Sequence, residues 1–337
     1  MADHVLILTI DGDPHGVHLA NLLARRGAEV TLFDPVEFPA RARLDAAYDR
    51  SGQVRRRLRT ERQTVELDAL TAVLVRRPQQ PEPHPEIEDP EARAYIQQQC
   101  EAFSSDLWEQ LDCRTVPAPR SAVLRAQRKS RQLTLAGRIG FELPETLITT
   151  DPDDLLDFYN RHDGRIITKA LDLPWLIRAD GERTSRYTEP VSTRDVAYAD
   201  AIRFAPVIVQ EYVPKKVEIR ATVVGDTVFA AEIHSQQSNH AKFDWRRYDL
   251  GTTRHEVHHL PAEVARRCVE IVERLGLSYG AIDLILTPDG RYVFLEINPS
   301  GQWVWVEKTV GLPITEALCD LLLHGQVRRE TLAAVPN

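Results

Sequence analysis

The chain opens on a strand–helix–strand pattern, and this pattern constrains the fold more than any other part of the sequence. Residues 5–10 form a continuous apolar run, residues 16–27 have glycine-bounded helical periodicity, and residues 29–34 form a second apolar run. Two strands joined by a helix pair in parallel, so the N-terminal region is predicted to be an α/β layer. A third strand over 71–77 and a long helix over 90–111 extend this layer.

A proline-rich turn at 116–119 separates this layer from a larger second region. Beyond the turn, short apolar runs bounded by turn residues predict mainly strands, with two helices among them. The predicted strands are 145–149, 165–170, 206–212, 218–224, 227–234, 281–286 and 291–298, and the predicted helices are 129–140 and 262–275. We expect three domains, over 1–115, 116–213 and 214–337. The fold class is α/β, with α+β architecture in the second and third domains.

Charge and composition exclude several classes of protein. The 42 lysines and arginines are outnumbered by 50 aspartates and glutamates, which argues against a nucleic-acid partner because such binders need a broad basic surface. No apolar run approaches the roughly 18 residues of a membrane span, and Asp3 stands where a signal peptide needs a basic flank. The four cysteines are widely spaced and predict neither a zinc site nor disulfides. We therefore expect a cytoplasmic protein without a membrane partner.

The positive charge is concentrated in one place. Six arginines lie between residues 50 and 62, with Glu61 as the single acid among them. They are Arg50, Arg55, Arg56, Arg57, Arg59 and Arg62. One interpretation is the solvated face of a hairpin or helix, and the other is a docking patch for an acidic partner.

Two carboxylates in the hairpin over 281–298 are candidates for metal binding. In the second strand, the side-chain period of two places Glu296 and Asn298 on one face. The opposite face is predicted to carry Val293, Leu295 and Ile297. With a tight turn between the strands, Asp283 lies opposite Phe294 and diagonal to Glu296, with Cβ atoms roughly 7 to 8 Å apart.

Oxygen ligands on rigid strands suit Mg²⁺, because positions remain for water and phosphate. Asp283, Glu296 and Asn298 are therefore the candidate metal ligands. The alternative is an exposed polar face of an edge hairpin. A register slip of one residue would turn Asp283 to the wrong face.

The stretch 210–220 is a second candidate site. One apolar strand enters it and another leaves it, with Pro214 in the short connection. Such a bend exposes backbone groups that can bind an adenine edge, and a nearby carboxylate can accept from ribose hydroxyls.

Only six of the 42 cations are lysines, so Lys129 and Lys169 are candidates for phosphate binding. The alternative is that both are ordinary surface lysines.

The order of these motifs resembles the ATP-grasp carboxylate–amine ligase superfamily over residues 115–325, and the preceding α/β domain of that superfamily fits residues 1–115. The motifs are Lys129, 166–169, 210–213 with Glu218, Asp283, and 296–298. More specifically, the chain is similar to the maturases of graspetides, the microviridin-type peptides with ω-ester and ω-amide links. The residues that carry this closer similarity are 76–78, 218–226, 244–246 and 298–303. The chain departs from the pattern at 116–119, which lacks an asparagine before the proline, and at 171–187, which has no clear glycine-rich loop.

The resemblance implies an N-terminal parallel pre-ATP-grasp domain, followed by two α+β subdomains that grip ATP between them. It implies ATP and Mg²⁺ as cofactors and a role for each candidate residue. The metal ligands are Asp283, Glu296 and Asn298, and the α- and β-phosphates are bound by Lys129 and Lys169. The adenine hinge consists of Glu211, Tyr212 and Val213, and Glu218 binds the ribose. Arg220 lies near the γ-phosphate, and Arg246, beside Asp244, orients the carboxylate to be activated.

The resemblance also implies a function. Asp or Glu side chains of a ribosomal precursor peptide, with a leader and an acidic core, would be activated as acyl phosphates and joined to Ser, Thr or Lys. A homodimer is compatible with this resemblance. Two alternatives are a ligase that adds free amino acids to a small molecule or a protein tail, and a non-catalytic nucleotide-binding scaffold. The histidines at 234, 240, 255, 258 and 259 show no metal-ligand spacing, and we expect them to be packed or exposed.

Overall fold

The structure, a computed structural model, describes residues 3–172, 175–177, 182–185, 187–237, 243–244 and 253–333. The strands are β1 (His4–Leu8), β2 (Glu29–Phe33), β3 (Arg43–Tyr48), β4 (Val54–Arg59), β5 (Thr64–Glu66), β6 (Ala72–Val75), β7 (Arg114–Val116), β8 (Thr146–Thr149), β9 (Ile166–Lys169), β10 (Trp175–Ile177), β11 (Arg183–Ser185), β12 (Glu189–Pro190), β13 (Val207–Glu211), β14 (Val217–Val224), β15 (Thr227–Ile233), β16 (His255–Val257), β17 (Tyr279–Leu286) and β18 (Tyr292–Asn298).

The helices are α1 (Pro14–Arg25), α2 (Pro90–Glu109), α3 (Arg120–Ala126), α4 (Lys129–Ile139), α5 (Pro152–Arg161), α6 (Thr193–Ala197), α7 (Ala262–Arg274), α8 (Val304–Val310), α9 (Ile314–His324) and α10 (Arg329–Ala333). Within the described ranges, no helix combines the length and the apolar character that a membrane crossing requires.

The N-terminal sheet is parallel, in the order β2–β1–β6–β7, as the opening pattern predicts. Its central strands β1 and β6 are apolar on both sides, because both faces of the sheet are covered there. On one face, Ile7 packs with residues of α1 and α9, including Leu318. On the other, Leu8 packs with Leu107 of α2 and with Leu58 of a three-stranded antiparallel sheet, β3–β4–β5. This small sheet was not predicted from the sequence.

Strand β4 contains most of the arginine-rich stretch. Its arginines have carboxylate partners on the neighbouring segments. The pairs are Arg55 with Glu66 at 2.7 Å, Arg56 with Asp68 at 2.7 Å, and Arg57 and Arg59 with Asp45 at 3.0 and 2.9 Å. Four arginines thus share three carboxylates, and most of their charge is compensated within the sheet. The stretch lies on an antiparallel hairpin, and the docking patch for an acidic partner stays a prediction.

The next sheet is antiparallel, in the order β12–β9–β13–β8. Helix α5 covers one face, where Phe158 packs against Ile166 of β9 and Val209 of β13. Asp151 is the N-cap of α5, and its side chain accepts a hydrogen bond from the Asp153 N–H.

The largest sheet has five antiparallel strands, in the order β16–β15–β14–β17–β18. Helices α3, α4 and α7 cover one face, and α7 buries the predicted residues Val264, Cys268, Ile271 and Leu275 there. Helices α3 and α4 lie within the range predicted for the central domain but pack on this sheet. On the other face, Phe229 and Tyr279 join the core shared with α8 and α9. The same face also carries the polar side chains of Glu218, Arg220 and Asp283.

The hairpin β17–β18 differs in register from the prediction. Asp283 lies directly opposite Glu296, and not opposite Phe294. The turn is one residue longer than predicted, since the Thr287 N–H donates to the Arg291 carbonyl, and the register shifts again between Leu284 and Asp283. The second shift is a β-bulge that leaves Leu295 as an extra residue. Val293 and Leu295 then pack against Val213 in a small cluster on the cleft side, and the prediction that they share a face with Ile297 is wrong. The predicted diagonal arrangement of the two carboxylates is therefore wrong, and the two are direct cross-strand neighbours.

Candidate active site

A cleft lies between the antiparallel sheet β12–β9–β13–β8 and the five-stranded sheet, with an empty volume of about 660 Å³ that includes space open to solvent. Its lining includes Lys169, Glu211, Tyr212, Val213, Glu218, Asp244, Asp283 and Glu296, all of which the sequence analysis selected. Two further candidates, Lys129 and Arg220, contact carboxylates of this lining. Arg246 lies outside the described residues.

Two carboxylates face each other at one end of the cleft, and each has a cationic partner. Arg220 is in register with Asp283, and its Nη1 donates to Asp283 Oδ1 at 2.8 Å. Lys129, the first residue of α4, donates from Nζ to Glu296 Oε2. Arg220 and Asp283 are buried, and Lys129 and Glu296 are mostly buried. The pairs therefore keep two negative and two positive charges close together in a partly desolvated place.

Asn298 ends β18, two residues beyond Glu296 and on the same face. Its Oδ1 accepts a hydrogen bond from the Ser300 N–H at 3.0 Å, which orients the amide. Asn298 thus shares a strand face with Glu296, but it is not among the residues that line the cleft. Carboxylate and amide oxygens are donors that fit a hard divalent cation such as Mg²⁺.

A second ion pair lies deeper in the cleft. Lys215 Nζ is 3.1 Å from Glu218 Oε1, and both side chains are almost fully buried. The Ser235 hydroxyl donates to the same oxygen at 2.7 Å. Lys215 was not among the site residues predicted from the sequence. The scarcity of lysine in this chain, and the place of this lysine directly after Pro214, were the signals that could have identified it.

Aromatic and backbone contacts shape the cleft around this pair. Lys215 Nζ also donates to the Phe243 carbonyl at 3.2 Å. The Phe243 ring meets the Tyr212 ring edge to face, with centroids 5.7 Å apart. Burial, with a smaller effect of the Glu218 charge, raises the pKa of Tyr212. Tyr212 is therefore a neutral wall of the cleft at physiological pH.

The remaining candidates have local partners. Glu211 Oε1 accepts from the Glu145 N–H at 3.1 Å, which ties the end of β13 to the segment before β8. Lys169 ends β9 opposite Ile208 and lines the cleft. Asp244 is buried, and its Oδ2 accepts from the Thr188 N–H at 2.9 Å.

Arg76, which the sequence analysis did not select as a site residue, joins the N-terminal layer to the loop after Asn298. It is 2% exposed, donates to the Ser300 carbonyl, and lies 5.1 Å over the Trp303 ring. Its Nε is 3.5 Å from Asp13 Oδ2. Burial, reinforced by the neighbouring charge of Arg77, lowers the pKa of Arg76 to about 10, so the guanidinium stays charged.

Two solved structures resemble the chain over nearly its whole length. The macrocyclase MdnC from Microcystis aeruginosa, bound with precursor peptide MdnA, is 28% identical with a TM-score of 0.84, and the match covers 95% of this chain and 99% of that one. The RiPP-associated ATP-grasp ligase of Chryseobacterium gregarium, in complex with ADP and a leader and core peptide, is 27% identical with a TM-score of 0.88. That match covers 97% of this chain and 98% of the other.

A sequence relative is the probable alpha-L-glutamate ligase of Klebsiella pneumoniae, which is 29% identical over 202 residues. The match covers 58% of this chain, and the chain spans 63% of the length of that relative. Residues 4–121 match the MvdD pre-ATP grasp domain. Residues 126–322, which include both sheets of the cleft, match the RimK-like ATP-grasp domain, and the chain therefore belongs to the RimK-like ATP-grasp family.

Proposed function

We propose that the protein is an ATP-dependent ligase that joins carboxylates of a peptide to hydroxyls or amines of the same peptide. The observation that carries the proposal is the pair Asp283–Glu296 at the end of the cleft, with Arg220 and Lys129 against it. Four charges that balance each other in a partly buried place are suited to receive a second balanced set, the phosphates of a nucleotide and their metal ion.

Each candidate residue has a role in this proposal. Asp283, Glu296 and Asn298 hold Mg²⁺, which when bound neutralises phosphate charge. Lys129 and Lys169 bind the α- and β-phosphates, and Arg220 lies near the γ-phosphate. Glu211, Tyr212 and Val213 contact the adenine, and Glu218 accepts from the ribose. Binding of phosphates offers Lys129 and Arg220 new anionic partners, so the two carboxylates become available to the metal ion.

The chemistry has two steps. An oxygen of the substrate carboxylate attacks the γ-phosphorus, the bond to the ADP oxygen breaks, and an acyl phosphate forms. A hydroxyl or amine then attacks the acyl carbon, loses its proton, and releases inorganic phosphate. Positioning and charge neutralisation supply most of the catalysis in such transfers. Arg220 stabilises the transferring phosphoryl group, and Asp244 with Arg246 orients the attacking carboxylate.

A precursor peptide with a leader and an acidic core is the proposed substrate. The support is that the two solved structures with TM-scores of 0.84 and 0.88, which cover 95% and 97% of this chain, are bound to a precursor peptide and to a leader and core peptide. A leader that binds separately raises the local concentration of the core at the cleft. The relationship to glutamate ligases favours a second candidate, the addition of free glutamate to an acceptor.

Mass spectrometry separates these functions. The protein is incubated with ATP and Mg²⁺, either with a short peptide rich in Thr and Asp/Glu that is encoded beside its gene, or with glutamate and an acceptor peptide. We expect loss of one water per bond formed, with one ADP released for each. A glutamyl addition would favour the second candidate. Nucleotide binding without ADP release in both mixtures would show a non-catalytic scaffold.

The metal site is tested with Glu296→Gln. We expect this variant to lose at least about 100-fold of its ADP release, because the metal ion and Lys129 both lose a charged partner. Glu273→Gln, at an exposed position on α7, is the matched control and keeps full activity. ADP release in Glu296→Gln within threefold of that in the control contradicts the assignment.

A further inference from the structure

Three side chains that can bind a metal ion lie close together on the face of the five-stranded sheet opposite the cleft. Glu232 of β15 is in register with Ile219, whose side chain lies in the core under α4 and α7. Cross-strand partners share a face, so Glu232 points away from the cleft that Glu218 lines. His234 follows on the same side, and Glu256 comes from the neighbouring strand β16. We refer to Glu232, His234 and Glu256 as the β15–β16 cluster.

The donor atoms of this cluster point at one another. His234 Nε2 is 3.1 Å from Glu232 Oε2 and 3.5 Å from Glu256 Oε2, and one donor atom from each residue lies within 4.8 Å of the others. Among the described residues, Nε2 is shielded from solvent and has no hydrogen bond of good geometry, although both oxygens are close to it. The nitrogen and the two oxygens therefore surround a point where a shared cation would satisfy all three atoms.

Each carboxylate is already held by an outer partner through its other oxygen. Glu232 Oε1 is 2.7 Å from His258 Nδ1, and His258 Nε2 is 3.0 Å from the Tyr292 hydroxyl. Glu256 Oε1 accepts from Arg254. The Oε2 atom of each carboxylate is thus the one that faces His234. Carboxylates that bind a metal through one oxygen are commonly oriented in this way by a second layer of hydrogen bonds.

We infer that the β15–β16 cluster binds a divalent transition-metal ion, of the Zn²⁺ class, through His234 Nε2 and one oxygen each of Glu232 and Glu256. An imidazole donor with two carboxylates favours such an ion over Mg²⁺, which prefers oxygen ligands alone. The inference does not rest on the proposed function, because none of the three residues lines the cleft.

The position of the cluster indicates what the ion does. Between His234 and Glu256 the chain includes Phe243 and Asp244, two residues that line the cleft. Near its ends, the connection is closed by a hydrogen bond from the His234 N–H to the Arg254 carbonyl, at 3.1 Å. An ion bound to Glu232, His234 and Glu256 would link β15 to β16 by three metal–ligand bonds in addition to this hydrogen bond. It is therefore a structural ion that fixes the base of a segment of the active site.

Zinc titration tests the inference. ZnCl₂ is titrated into the full chain by calorimetry in the presence of a competing chelator, in excess Mg²⁺, and in the Glu296→Gln background to remove the active-site carboxylate. We expect one saturable Zn²⁺ site per chain that Mg²⁺ does not displace. His234→Ala should weaken Zn²⁺ binding at least tenfold and abolish the rise in melting temperature that Zn²⁺ gives the parent.

Two further variants complete the test. His259→Ala removes an exposed histidine beside the cluster and should leave the affinity unchanged. Glu256→Gln replaces a carboxylate by an amide of nearly the same size and should weaken Zn²⁺ binding at least tenfold. This variant keeps the test decisive if His234→Ala does not fold. The inference is overturned if the protein with Glu296→Gln alone shows no saturable Zn²⁺ site. It is also overturned if Glu256→Gln binds Zn²⁺ as tightly as His259→Ala does.

Discussion

His15 is a buried histidine at the junction of the N-terminal layer and helix α8. Its Nδ1 lies 3.4 and 3.3 Å from the backbone N–H groups of Trp303 and Val304 and accepts from them. Its ring meets the Trp303 ring edge to face at 4.7 Å. Burial, reinforced by the charge of Arg76, lowers the pKa of His15 from 6.5 to about 3. The imidazole is therefore neutral at physiological pH, as an acceptor at Nδ1 requires.

This shift makes His15 a source of acid sensitivity. Between pH 6.5 and about 3, the unfolded chain binds a proton at this position and the folded chain does not. The stability that neutral His15 contributes is thus present above pH 6.5 and is lost as the pH falls through this window. We expect His15→Gln to unfold at a lower pH than wild type when acid unfolding is followed by tryptophan fluorescence. His259→Gln, at an exposed position, should leave the midpoint unchanged. Equal midpoints in all three proteins would contradict the assignment.

The pair Lys215–Glu218 predicts a large effect of a single substitution. Lys215→Met leaves a buried carboxylate without its cation, which costs about 3–5 kcal/mol in comparable buried pairs. We expect a correspondingly lower free energy of unfolding in urea, and partial recovery in the double variant Lys215→Met/Glu218→Gln. Lys216→Met, at the exposed neighbouring position, is the control and should change the free energy by less than about 0.5 kcal/mol. A single variant no less stable than this control would show that the pair contributes little.

At the scale of elements, the loop after β18 depends on a close approach between backbones. A Cβ atom on Gly301 would lie 2.2 Å from Ala281 Cβ and 3.5 Å from Ala281 Cα, on the adjacent strand β17. At Gly280 the nearest contact is the flexible end of the Ile297 side chain, at 2.6 Å. Gly301→Ala must therefore displace the loop that holds Asn298, whereas Gly280→Ala moves a side chain.

We expect Gly301→Ala to lower ADP release at least tenfold and to raise the Mg²⁺ concentration needed for half-maximal activity. Gly280→Ala should have a smaller effect on both quantities. The measurement is a Mg²⁺ titration of ADP release in the two variants and wild type. An unchanged Mg²⁺ requirement in Gly301→Ala would mean that this loop does not position the metal ligands.

The elements also show how far a sequence pattern reaches. Helix α7 and the presence of a hairpin around 287–291 were predictable, because each is encoded within a few consecutive residues, but the register of that hairpin was not. The β-bulge was not, because it depends on Leu295 packing against Val213 from a different part of the chain. The sheet β3–β4–β5 was missed because its arginines find acids across the strands, which no spacing along one strand reveals. The β15–β16 cluster was missed for the same reason: one of its ligands comes from a neighbouring strand.

At the scale of the whole molecule, one core joins the two ends of the described chain. It includes Ile7 of β1, Leu19 of α1, Phe229 of β15 and Leu318 of α9. Arg26, directly after α1, adds a hydrogen bond of 2.7 Å to the buried Asp320 on α9. The N-terminal layer and the five-stranded sheet thus share one apolar interior, and we expect them to unfold together.

Leu318→Ala tests this coupling. Its side chain is fully buried, so truncation should lower the free energy of unfolding by about 2–5 kcal/mol. We expect a single calorimetric transition in wild type and in the variant, shifted to lower temperature as a whole. Two separated transitions, with only one of them shifted, would show that the N-terminal layer is an independent unit.

The paired charges around Asp283 and Glu296 have a consequence for the order of binding. Because Arg220 and Lys129 already neutralise these carboxylates, the empty cleft offers a free divalent cation little net attraction. Under the proposed function, a metal ion that arrives chelated by the nucleotide would bring the anions that draw both cations away. We therefore expect the metal–nucleotide chelate to bind this site, and free Mg²⁺ to bind it weakly.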